Sequence, residues 1–131
     1  MAAPQASETP PPSSSWTVDG YKKEAARWIY DANRKYLYDG APPPILKSVV
    51  VLSIAIDPAG QPTRVAVLRS NGYSDLDQLA IQSVKRSAPL PHPSRMIAHG
   101  HSMEYTETWL FRDDGRFQIR SLAQAQQTGL N

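Results

Sequence analysis

Residues 49–56, Val-Val-Val-Leu-Ser-Ile-Ala-Ile, form an unbroken run of β-branched and small apolar side chains. Such a run is too continuous to have one face in water. It predicts a strand that is central in its sheet or covered on both faces. Asp57-Pro58-Ala59-Gly60 follows with turn chemistry. Proline presets φ for a type I turn, and glycine takes the left-handed position that closes a bulged hairpin. The return strand, 63–70, alternates, with Val65 and Val67 set against Arg64, Ala66 and Arg69. Pro62 at its start suits an edge strand, because proline donates nothing to a ladder.

The remaining elements arrange themselves around this hairpin. Residues 1–16 are rich in Pro, Ser and Ala, with almost nothing to bury. They read as a disordered linker whose Pro10-Pro11-Pro12 run extends its reach, a proline-rich ligand for a recognition domain being the alternative. Thr17 or Asp19 caps a helix over 20–37, in which Tyr21, Ala25, Trp28, Ile29, Ala32, Tyr36 and Leu37 make one apolar stripe for core packing. Asp39-Gly40 ends it, and Pro42-Pro43-Pro44 forces an extended lead into the first strand. After the turn at Asn71-Gly72, Ser74 and Asp77 have the spacing of a capping box for a second helix over 75–87. Its buried face is Leu76, Leu79, Ala80 and Val84, and the prolines at 89, 91 and 93 stop it.

A third strand is expected over 103–112. Met103, Tyr105, Trp109 and Phe111 lie on one side, interrupted by Glu107, with Glu104, Thr106, Thr108 and Leu110 on the other. Asp113-Asp114-Gly115 fits a hairpin loop that sets Phe111 opposite Phe117 and Trp109 opposite Ile119 in a short last strand, 116–120. From Ala123 the chain has nothing to bury and reads as a frayed tail. The fold class is therefore α+β: a small antiparallel sheet of order 2-1-3 with a short fourth strand and two helices, over 17–122.

Composition narrows the chemistry. No apolar stretch approaches the ~18 residues of a membrane span, and no signal peptide is visible. Cysteine is absent, which excludes disulfides, thiol catalysis and thiolate metal sites. Lys22, Lys23, Arg27, Arg34 and Lys35 share a helix with Glu24 and Asp31 and read as a solvated face, not a nucleic-acid footprint. His92, His99 and His101 lie in loops without acids at ligand spacing, so no metal is expected. Asp57, Asp75, Asp77, Asp113 and Asp114 occupy turns and caps, no serine sits in a nucleophile elbow and no phosphate loop is present. The chain reads as a non-enzyme without cofactor.

A small sheet has one further chemistry, its edge. With the first strand in the middle, the third carries unpaired backbone groups over 102–108, beyond the reach of the short last strand. On the residues alone, such an edge either takes up an extended peptide or remains unpartnered.

The order and spacing of VVVLSIAIDPAGQPTRVAVLRSNGYSDLDQLAIQSVKRSAPLP and of the hairpin WLFRDDGRFQI resemble the C-terminal domain of the TonB/TolA family of periplasmic energy transducers. The resemblance covers roughly 49–119, and the first helix is similar to the TolA branch. It implies a periplasmic location, an inner-membrane anchor ahead of a proline-rich linker, and coupling through that anchor to an inner-membrane proton-channel complex. It also implies that the third strand binds a peptide of an outer-membrane TonB-dependent receptor by strand addition. Carried onto this chain, the docking residues are Met103, Glu104, Tyr105, Thr106, Glu107, Thr108 and Trp109, with Tyr105, Thr106 and Thr108 tuning side-chain fit. The alternative within the family is a TolA-like module of an envelope-integrity complex. An open edge also makes a strand-swapped homodimer a candidate assembly.

Overall fold

A computed structural model of the chain describes residues 9–93, 95 and 101–123. Helix α1 (Val18–Ala32) is followed by a single 3-10 turn (Arg34–Tyr36), strands β1 (Ser48–Ile56) and β2 (Pro62–Arg69), helix α2 (Ser74–Ser87), and strands β3 (Met103–Phe111) and β4 (Phe117–Ile119). The strands form one antiparallel sheet of order β2-β1-β3-β4, as the apolar run at 49–56 predicts for a central first strand. Phe111 pairs with Phe117 and Trp109 with Ile119, in the register expected from the Asp-Asp-Gly loop, whose Gly115 has φ +82°.

Both helices lie on one face of the sheet. Val50, Leu52, Ile54 and Ile56 of β1 point into that layer and are fully buried, with Tyr21, Ala25, Ile29, Ala80, Val84, Trp109 and Phe111 around them. Burying an aliphatic side chain of this size contributes about 1.5–3 kcal/mol, and the larger Trp109 and Phe111 of β3 are buried in the same layer. Among the described residues the opposite face has no helix. Val49, Val51 and Ala55 are only half-buried there, so the continuous run reflects a central position between two strands, not a second covering layer. Among the described residues no helix is long and apolar enough to cross a membrane.

Several boundaries differ from the sequence expectation for local reasons. Thr17 is the N-cap of α1, accepting from Gly20 N–H at 3.1 Å, so the helix starts at Val18. It ends at Ala32, not at 37, because the Asn33 side chain turns back to donate to Ile29 O at 2.7 Å and Ser83 O at 3.0 Å. That amide ties α1 to α2 and takes the backbone out of helical geometry, at φ −131°. Trp28, Tyr36 and Leu37, expected on the buried stripe, are partly buried at its margin. The capping box at 74–77 does not form: Tyr73 is the N-cap of α2 without a side-chain bond, and Asp77 accepts from Ser70 Oγ instead.

β3 stops at Phe111 and β4 is shorter than 116–120. The chain is helical over 120–123, with Leu122 and Ala123 buried. The stretch 10–16, read from composition as linker, lies against the domain. Ser13 N–H donates to His92 O at 2.9 Å, Ser13 and Ser14 hydroxyls meet the Glu24 carboxylate, and Pro10 and Ser13 are buried. Residues 1–8 and 124–131 of the expected linker and tail lie outside the described residues, as does His99.

Candidate functional site

Along an antiparallel ladder, successive residues turn their backbone groups alternately toward one neighbour and the other. Two bonds reveal the parity of β3. Phe111 C=O accepts from Lys47 N–H at 2.9 Å, on the β1 side, whereas Arg112 N–H donates to Arg116 C=O at 2.9 Å, on the β4 side. Odd positions of β3 therefore serve β1, and even positions face outward. Leu110 and Arg112 meet the β4 hairpin. Residues 104, 106 and 108 turn their backbone to the stretch of edge that β4 does not reach.

This parity divides the seven residues expected at the edge. Glu104 and Thr106 are exposed, stand on the helix-free face and direct backbone groups outward. The Glu104 carboxylate is held on that face by Ser53 Oγ–H at 3.0 Å. Thr108 is half-buried and also faces outward. Met103, Tyr105 and Trp109 do not reach the edge: their side chains are buried on the helix side and their backbone groups point to β1. Tyr105, expected to tune partner fit, packs instead edge-on against Tyr21 at 5.6 Å between ring centroids. Its hydroxyl has no hydrogen-bond partner among the described residues, and burial pushes that phenol far above its ordinary range. Tyr30 is likewise pushed up to about 12, mainly by burial; its hydroxyl accepts from Ile119 N–H at 2.9 Å on the far side of β4.

Glu107 breaks the apolar pattern of the buried face, and its surroundings explain why. It is 4% exposed, accepts from Thr108 N–H at 2.9 Å with one carboxylate oxygen, and accepts from Ser121 Oγ–H with the other. Burial raises its pKa above the ordinary value of 4.5, while the Ser121 and Thr108 hydrogen bonds and the Lys22 ammonium pull it partly back. The outward donor at Thr108 is thus already satisfied by a side chain. Of the whole edge, residues 104 and 106 keep both backbone groups without a partner among the described residues. The sequence shows Glu107 as an interruption, but its link to Ser121 depends on where β4 ends and is not readable from spacing.

The outer side of β4 is closed. Leu37 bridges to Phe117, Tyr38 N–H donates to Phe117 O, and Gln118 Nε2 donates to the carbonyls of Tyr38 at 2.9 Å and Gly40 at 2.6 Å. A second concavity, beside α1, is walled by Pro10–Pro12 of the N-terminal stretch together with Glu24, Arg27, Trp28 and Pro91. His92 serves through its backbone carbonyl and His101 is exposed. Among the described residues no three His, Cys, Asp or Glu side chains gather as a metal site.

The family model described as Gram-negative bacterial TonB protein C-terminal matches residues 46–112, just over half of the chain, from β1 through β2 and α2 to β3. No curated protein and no solved structure matches the chain.

Proposed function

Because the chain belongs to the family of Gram-negative bacterial TonB protein C-terminal domains, we propose that its β3 edge docks an extended peptide of an outer-membrane TonB-dependent receptor by strand addition. Domains of this family are periplasmic, non-enzymatic and serve TonB-type energy transduction in transport. In the proposed cycle, the receptor segment becomes an added strand against residues 104–106. Tension from a proton-driven inner-membrane complex then reaches it through an N-terminal anchor and the proline-rich linker.

The observation that supports this reading is the outward-facing backbone at Glu104 and Thr106, unpaired among the described residues beside the closed outer side of β4. Main-chain bonds supply affinity in this mode, and alternate side chains on the free face supply selectivity. Glu104, Thr106 and Thr108 are those side chains, with Glu104 favouring a basic partner residue. The same edge would pair a second copy of the chain at high concentration, in competition with the peptide.

Thr106→Pro is the direct test. The Thr106 N–H points away from β1, so proline there leaves the β1–β3 ladder intact while removing one edge donor and adding a ring in the path of the strand. The expected result is a native circular dichroism spectrum with calorimetric affinity for receptor-derived peptides reduced at least about tenfold. A folded T106P that binds as tightly as the parent would place the docking surface elsewhere.

A further inference from the structure

We infer that Glu107 and Ser121 form an end stop on the β3 edge, positioning the added strand by closing the ladder at Thr106. The inference rests on the docking reading above and adds to it a register and a length limit. An antiparallel partner continuing β4 past Ile119 would place residue 120 opposite residue 108 and offer its carbonyl to Thr108 N–H. The chain does not continue: it turns helical over 120–123, and the Glu107 carboxylate takes the place of that carbonyl. Its second oxygen accepts from Ser121 at the start of the same helical turn, so one side chain both ends the ladder and holds the exit of β4.

The stop is built, not incidental. Glu107 lies in a row whose other members are Met103, Tyr105, Trp109 and Phe111, all apolar or aromatic. A carboxylate in such a row carries a desolvation cost that an aliphatic residue would avoid. Its charged neighbour from α1 is Lys22, and the buried phenols of Tyr30 and Tyr105 also feel its charge. What the carboxylate provides in return is control of one outward N–H. A strand arriving from the Met103 end finds donors at 104 and 106, then a satisfied N–H at 108 and the Ser121 hydroxyl behind it. Its end is thereby held in one register, whereas an open ladder would let it slide by steps of two residues.

The test compares the parent with Glu107→Met, which keeps length and volume but has no acceptor, and with Glu107→Gln, which keeps one. Receptor-derived peptides carrying a nitroxide at the end nearest Trp109 report position through amide broadening. In the parent and E107Q, broadening centres beside Thr106. In E107M nothing holds Ser121, so the 120–123 turn releases the edge beside Thr108; the peptide then reaches ~7 Å further, two residues along the strand, and binds about fivefold tighter through the freed Thr108 N–H. Identical footprints in parent and E107M would overturn the stop. A second arm needs neither peptide nor variant. In the free parent, Thr108 N–H should exchange at least tenfold more slowly than Thr106 N–H, and equal rates would overturn the stop by themselves. Peptides that leave every amide of 102–108 unperturbed would instead sink the docking reading, while the exchange arm still decides the stop.

Discussion

Tyr105 and Glu107 are buried polar residues with opposite accounts. The Tyr105 hydroxyl is buried without a partner among the described residues, so removing it should relieve a desolvation cost. Tyr105→Phe is expected to raise stability by about 1 kcal/mol in urea titration and to leave peptide affinity unchanged, because neither its ring nor its backbone faces the edge. Loss of affinity in Y105F would contradict the parity assigned to β3. Glu107 has a raised folded pKa, so the native state holds a proton at pH values where the unfolded chain, near 4.5, has lost it. Native binding of the extra proton means that stability falls as pH rises through that window and stays lower above it. Urea midpoints of the parent should show this decline, and those of E107M should lack it. Asp114 works in the reverse sense: its bond with Arg112 lowers its pKa to about 2, so its contribution is present above 3.8 and lost as pH falls through about 2. A glycine pair gives a backbone test. A Cβ on Gly60, at φ +87°, would sit 2.0 Å from Leu90 O, whereas Gly72, at φ +94°, has open space. Gly72→Ala should therefore cost only about 1–2 kcal/mol of strain, and Gly60→Ala should cost more than that by thermal unfolding.

At the scale of elements, the strands were legible and the helix ends were not. The run at 49–56, the Asp-Pro-Ala-Gly turn and the paired aromatics at 111 and 117 carry local information about strand, turn and register. The end of α1 does not, because the decisive residue acts across the fold. Asn33 donates to Ser83, fifty positions away, and accepts from Arg86 of the same helix. The apolar spacing that predicted helix to 37 continues past it, but a buried amide with partners on α2 overrides that spacing. Ser74 and Asp77 have the spacing of a box, yet Asp77 is engaged by Ser70 in the preceding turn. Asn33→Ala is predicted to cost about 2–3 kcal/mol, since it leaves the buried Ser83 carbonyl without that donor and loosens α1 from α2. Differential unfolding with an α1 probe and a sheet probe would check whether α1 loosens first.

For the whole molecule, the open edge was predictable from strand order, but which residues own it was not. The seven-residue stretch 103–109 contains the edge, and the alternation of backbone direction reduces the groups without a partner among the described residues to those around 104 and 106. The composition of 10–16 suggested a free linker, yet Ser13 in its middle is held to the loop after α2. That loop is joined on several sides. Tyr21 donates to Pro91 O at 2.8 Å, Leu90 donates to Gly60 O at 2.7 Å and Ser13 donates to His92 O. A pull along the N-terminal segment is therefore first met at α1 and this loop, on the helix side of the sheet.

If a receptor peptide joins the sheet at residues 104–106 of β3, amide hydrogen exchange of β3 with and without receptor-derived peptide will show it. New protection is expected at Glu104 and Thr106, with unchanged protection at Met103 and Tyr105, whose N–H groups already serve β1. Protection that instead appears along β2 or α1, or equally at odd and even positions of β3, would contradict it.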